Sequence, residues 1–302
     1  MSLRVATSLQ YDRLRDRMGA LSVRADTLNN QLATNKRIQA PSDDAAGYRA
    51  LTALKRAGAE AKAELSNIDL ANSVLDATST ALGSIEAQLT RVREIAINAG
   101  SATLSPDQKQ ALAVELDVIV EDLLRIANTS DSRGNPLFSG ANIERPYVRQ
   151  GDGTISFTGG GEAGAIPIGD GRTIVAHTTG SAIFDNVTVS GGGTSDMFAI
   201  VQAMSTALKN NADIGNASGD VQSAMTQVTN ARASVGARSA RLELEQTRLT
   251  DLGITREAAR SAIEDTDVTA TITELQKTLT VLQATQASFS KLTSLSLFNY
   301  LR

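Results

Sequence analysis

The sequence predicts a mainly α protein: a long, coiled-coil-like helical bundle rod formed by the N- and C-terminal regions, with a small β-rich domain inserted between them. Three observations carry this. Apolar residues recur at alternating spacings of three and four near both ends of the chain. Two longer stretches further in keep a helical period. The middle instead combines glycine, threonine and short β-branched runs with Asp-Gly pairs. The predicted organisation is terminal coiled-coil helices over 1–40 with 266–302, a helical rod over 41–135 with 196–265, and an outer β-rich domain over 136–195.

The first seam is Leu14, Met18, Leu21, Ala25, Leu28 and Leu32, with charged residues between its members. A single amphipathic core helix would give the same stripe. The next helix is predicted from about Asp44 to Asn98, roughly 80 Å at 1.5 Å per residue, with Leu51, Ile68, Leu75, Leu82, Leu89 and Ile95 on its apolar side. "TLSPDQKQAL" then reads as a turn and restart. Ser105 is placed as an N-cap, Pro106 at the first helical position and Gln108 three residues after the cap, so that a helix follows to near Asn128. Asp152-Gly153 and Asp170-Gly171 predict hairpin turns, and "TISFT", "RTIVAHT" and "NVTVS" predict strands. "DMFAIVQAMSTALKNN" returns to helix. From about Asp220 to Glu264, Val221, Val228, Val235, Leu242 and Leu249 fall at strict seven-residue intervals, and Arg256 interrupts the series before Ile263. The last seam is Val268, Ile272, Leu275, Leu279, Leu282 and Phe289, with one polar member, Gln286. The chain then ends on "LTSLSLFNYLR", an apolar finish where a frayed polar terminus is the norm. Leu292, Leu295, Leu297 and Phe298 therefore point to a partner surface, a membrane or a place in a core.

The composition narrows the function. Hydrophobic residues make up 41% of 302, too many for a disordered chain, while aromatics make up only 3%, which suits helices packed side by side. The net charge of −4 argues against a nucleic-acid partner, which would need a dense basic face. There are no cysteines, which removes disulfides, thiolate metal sites and a cysteine nucleophile, and leaves the compartment open. No signal peptide is expected in the charge-broken start, and no run approaches the roughly 20 apolar residues of a membrane span, so no membrane insertion is expected. A cytoplasmic protein and one exported by a signal-less route would both read this way.

No catalytic, metal or cofactor constellation emerges, and the chain reads as a non-enzyme. His177 is the one histidine, too few for a metal site, and no nucleophile elbow accompanies it. Gly159, Gly161 and Gly164 in "GGGEAG" match a dinucleotide fingerprint by letter, but "AIPIGDG" follows and offers no helix start to hold a pyrophosphate. Asp43 and Asp44 are adjacent carboxylates that read as a turn plus an N-cap at the positive end of a helix. Arg232, Arg238 and Arg241, followed by Glu243 and Glu245, read as a solvated face with ion pairs.

Several segments together resemble the bacterial flagellin superfamily. "NKRIQAPSDDAAGYRAL" resembles its N-terminal signature, through Pro41, Ser42, Asp43 and Asp44. "QLTRVREIAINAG", with Arg91, Arg93 and Glu94, resembles the segment used there in axial subunit contacts. "IEDTDVTATITELQKTLTVLQATQASFSKLTSLSLFNYLR" resembles the C-terminal region. The likeness covers roughly the first 140 and the last 85 residues. "NTSDSRGNPLFSGANIERPY", with Leu137, Phe138, Ser139 and Gly140, resembles the branch at the hook-filament junction, as does the ending "LSLFNYL"; "DDAAG" is closer to the filament-forming branch.

The resemblance implies a structural adaptor of the bacterial flagellum, exported unfolded without a cleaved signal peptide and resident outside the cell. Its implied partners are copies of itself in a ring or tube layer, flagellin on one side, another hook-associated protein on the other, and a cytoplasmic export chaperone at the C-terminal region. A filament-forming flagellin and an intracellular coiled-coil binding module are the alternatives. The seams, Leu14 to Leu32 and Val268 to Phe298, are then the expected subunit-assembly interface.

Overall fold

The computed structural model describes residues 2–100 and 104–298, with side chains over 9–100 and 104–292. In chain order the elements are α1 (Ser2–Thr34), α2 (Ala45–Ala99), α3 (Pro106–Ala127), β1 (Tyr147–Arg149), β2 (Ile155–Phe157), β3 (Ile166–Gly169), β4 (Arg172–Ile174), α4 (Ser181–Phe184), β5 (Val187–Thr188), β6 (Thr194–Ser195), α5 (Met197–Lys209), α6 (Ala217–Glu264) and α7 (Val268–Phe298). The contacts divide into two compact units, Met1–Ala59 with Asp251–Arg302, and Glu60–Thr250.

Local chemistry sets the helix starts. Ser105 stands in extended backbone before Pro106 and closes a capping box: its hydroxyl accepts from Gln108 N–H at 3.3 Å, and the Gln108 amide oxygen accepts from Ser105 N–H at 2.9 Å. At α5 the Asp196 carboxylate accepts from Ala199 N–H at 2.6 Å. Asp44 caps α2 by accepting from Ala46 and Gly47 N–H at 3.1 and 2.9 Å. Its neighbour Asp43 supplies the turn half of the predicted turn plus N-cap. It closes the turn before the helix, accepting from Gln39 and Ala40 N–H at 2.9 Å each. These backbone donors favour the charged form, so both carboxylates sit below the ordinary range.

In the unit Glu60–Thr250 the core is built from helix stripes. Val221, Val228, Val235, Leu242 and Leu249 on α6 are all buried, as the seven-residue interval requires. They join Ile68, Leu75, Leu82, Leu89 and Ile95 on α2, and Leu116 and Leu123 on α3, which packs on α5. Each such side chain contributes roughly 1.5–3 kcal/mol. Five aromatics, Phe138, Tyr147, Phe157, Phe184 and Phe198, form one cluster with ring centroids 5.1–5.6 Å apart. This concentrates half of a small aromatic complement at one place.

The middle of the chain is not one sheet but three separate antiparallel ribbons, β1–β2, β3–β4 and β5–β6. Both Asp-Gly turns form as predicted; Asp170 and Gly171 take φ +50° and +69°, the pair of left-handed residues that a two-residue turn needs. The strands are shorter than the β-branched runs suggested, because a lone two-stranded ribbon is marginal in water. Helix side chains hold them instead. Asn67 donates to Pro167 O at 2.9 Å, Gln202 to Gly153 O at 3.1 Å, and Gln227 to Asp185 O at 2.7 Å.

The arginine-rich segment of α6 departs from the predicted solvated face. Arg232 does pair with Glu86 at 2.8 Å. Arg238 instead reaches into the loop after β4, donating to Val175 O at 2.9 Å and Thr178 Oγ1 at 2.7 Å. Glu245 is buried, binding Arg172 at 2.7 Å and also Arg248. The ribbon is thus anchored by charges that the sequence pattern alone assigns to solvent.

Candidate assembly surface

The unit Met1–Ala59 with Asp251–Arg302 carries the predicted seams. Its corner is pinned by Glu264, whose side chain is 2% exposed. The carboxylate binds Lys36 Nζ at 2.8 Å and Arg260 Nη1 at 2.5 Å, with Lys55 Nζ at 3.6 Å. The hydrogen bond from Lys36 is the largest cause holding its pKa down to about 2, against the opposing effect of burial. Backbone bonds run alongside: Arg37 N–H donates to Glu264 O at 2.7 Å, and Thr266 N–H to Asn35 O at 3.1 Å. Asn35 takes a left-handed φ of +55° where α1 ends. Nothing in the seam spacing marks Glu264; its only sequence signal is an acid just before a helix break.

From that corner α1 packs on α7. On α1, Ala25 and Leu28 are buried, while Leu14, Met18, Leu21 and Leu32 are half-buried. On α7, Leu275, Leu282 and Phe289 are half-buried towards α1. Phe289 meets Tyr11 edge to face at 5.7 Å, and the Tyr11 hydroxyl donates to Leu292 O at 2.9 Å. The α7 residues that are buried are threonines, Thr271 and Thr278. They sit one position before Ile272 and Leu279, so they lie about 100° away around the helix.

The predicted C-terminal seam is therefore split. Leu275, Leu282 and Phe289 face the partner helix. Val268, Ile272, Leu279 and Leu292 stay 40–44% exposed, and Gln286 is exposed rather than on the packed seam. Val281 on α7 and Leu9 and Val23 on α1 are exposed too. Val268, Ile272 and Leu279 lie within about 40° of one another around α7 and leave one apolar flank open, while Val281 and Leu292 lie about 180–200° from Ile272. Leu295, Leu297 and Phe298 lie outside the side chains described. Arg256, the interruption of the α6 series, is half-buried, and its Nη1 has no hydrogen-bond partner among the described residues.

Of the remaining signature residues, some serve packing and others stay in solvent. Arg91 grips Glu115 through two bonds, at 2.6 and 3.1 Å, and Glu94 through a third at 2.8 Å, tying α2 to α3. Those carboxylates raise its pKa, while Arg93 remains exposed. Leu137, Phe138 and Ser139 are buried, and Gly140 has φ +71° with Gly161 O where a Cβ would stand. Pro41 and Ser42 are exposed at the corner. Gly159 to Gly164 form the loop between β2 and β3, and no helix follows them. His177 lies half-buried in the loop after β4. No helix among the described residues is long and apolar enough to cross a membrane.

Two family models match this chain: the bacterial flagellin N-terminal helical region over residues 5–143, and the bacterial flagellin C-terminal helical region over residues 219–301. Flagellar hook-associated protein 3 of Escherichia coli K12 is 25% identical over 98% of this chain and 99% of its own length. Flagellin of Listeria monocytogenes is 22% identical over 82% of this chain and 80% of its own. Among solved structures, a putative flagellar hook-associated protein from Vibrio parahaemolyticus superposes with a TM-score of 0.66 at 18% identity, covering 74% of this chain and all of that one. Flagellar hook associated protein-3 from Legionella pneumophila gives 0.64 at 17%, covering 70% of this chain and 98% of that one.

Proposed function

We propose, since the chain belongs to the bacterial flagellin family, that it is a structural component of the bacterial flagellum acting as the hook-filament junction adaptor. It joins a layer of another hook-associated protein to the flagellin filament, and performs no catalysis. The observation that carries this reading over a filament-forming one is coverage. The relative named hook-associated protein 3 aligns end to end, whereas the flagellin aligns over about four fifths of each chain. The geometry supplies the means. The exposed apolar residues Val268, Ile272 and Leu279 on one flank of α7 lack a home within α1 and α7 and are covered by neighbouring copies in a ring or tube layer. Repeated head-to-tail contacts of this kind build a non-closing helical array.

The same flank is what a cytoplasmic export chaperone would cover before secretion, and the protein leaves the cell unfolded without a cleaved signal peptide to reside in the extracellular flagellum. The test is genetic. Deleting the gene should leave hooks that form normally while flagellin escapes into the medium. Normal filaments after deletion would defeat the proposal. Purified protein that extends filament seeds into long filaments by itself would favour the filament-forming reading instead.

A further inference from the structure

A cleft along α6 in the unit Glu60–Thr250 lacks an account in the assembly reading and stands independently of it. Arg238 and Arg241 lie three residues apart on one helix face, a spacing that brings side-chain origins to roughly 5–6 Å. Both line an open groove of about 540 Å³ to which the loop after β4 contributes His177, Thr178 and Thr179. Arg238 is half-buried and held by neutral acceptors: Ser234 O at 3.3 Å, Val175 O at 2.9 Å, His177 O at 3.4 Å and Thr178 Oγ1 at 2.7 Å. Burial depresses its pKa, as expected of a cation without a counter-ion. Arg241 is exposed and has no partner among the described residues. Glu162 also lines the cavity, but it is exposed and pairs with neither arginine. Neither guanidinium charge is answered by an acid: Arg241 offers its fork and Arg238 its one remaining N–H, an arrangement that a carboxylate completes.

The cleft continues. Thr178 and Ser234 also line a second cavity of about 570 Å³, where Thr188, Ser223, Thr226 and Asn230 present hydroxyl and amide groups. A cationic pair at one end and a run of neutral hydrogen-bonding groups at the other match a ligand that carries one carboxylate and several hydroxyls. We propose that this cleft binds an acidic saccharide, its carboxylate held by Arg238 and Arg241 and its hydroxyls by the Ser/Thr/Asn-lined extension.

His177 is the single histidine of the protein, so its ring resonances give an unambiguous probe inside the cleft. Titrating the full chain with glucuronate, glucose and acetate at fixed pH should move these resonances with glucuronate at millimolar concentration. Glucose and acetate should need at least tenfold more. Arg241→Gln, which breaks no bond among the described residues, should weaken glucuronate at least tenfold while leaving the thermal midpoint unchanged. The proposal is overturned if glucuronate moves nothing, if acetate matches it so that the hydroxyls add nothing, or if Arg241→Gln binds as tightly as the natural protein.

Discussion

Replacing Glu264 by glutamine removes one charge from the corner and leaves Lys36, Lys55 and Arg260 facing one another. A carboxyl held at about 2 instead of its ordinary 4.5 corresponds to at most about 3.5 kcal/mol at 1.36 kcal/mol per unit. Lys36 and Lys55 are about half exposed, at 46% and 59%, and solvent screening brings the expected contribution to about 2 kcal/mol. Because the folded-state pKa lies below the unfolded one, this stability is present above pH 4.5 and is lost as the pH falls towards 2. The assay is amide exchange over residues 35–44 and 264–271, corrected for the intrinsic rate at each pH. Arg37 and Thr266 N–H close the corner, through Glu264 O and Asn35 O. At pH 7, Glu264→Gln should lower protection there roughly 30-fold, the equivalent of about 2 kcal/mol. At pH 3 the gap between the two proteins should have shrunk severalfold. Equal protection at pH 7, or a gap that does not narrow with acid, would refute the assignment of Glu264 as the charged pin.

Gly140→Ala forces a side chain into left-handed backbone against Gly161 O and should cost about 2–3 kcal/mol, seen as a lower denaturation midpoint. Phe184→Ala opens a hole in the aromatic cluster, where Phe184 touches Phe138, Tyr147 and Phe198; the cost should be about 3–5 kcal/mol in denaturant unfolding. Ile272→Ser with Leu279→Ser alters only the exposed stripe, so circular dichroism and the unfolding of Glu60–Thr250 should stay unchanged. Cells carrying that double variant should nevertheless lose swimming in soft agar.

The helices were legible because each carries its own signal. The strict interval from Val221 to Leu249 can only be one buried stripe, and Ser105, Pro106 and Gln108 mark a start through hydrogen bonds local to four residues. The two Asp-Gly turns were legible for the same reason. What was not legible depends on distant partners. Seam spacing says that Val268 to Phe289 is amphipathic, but not which side meets α1. Thr271 and Thr278 take the inward places because small side chains suit the close contact, and their seven-residue interval is the one local trace of it. Glu264, Glu245 and Arg238 look like ordinary surface charges until folding brings cations or carbonyls from far along the chain. Their signal is tertiary, and no local pattern carries it.

The central claim is that one side of α7 is open in the single molecule and closed in the flagellum. A protein without cysteine allows this to be read directly by placing one thiol at Leu279→Cys and another, in a separate variant, at Thr278→Cys. In the monomer the thiol at 279 should react quickly with a maleimide and that at 278 slowly. In intact flagella both should be protected. Undiminished labelling at 279 in flagella that rotate normally would contradict the account.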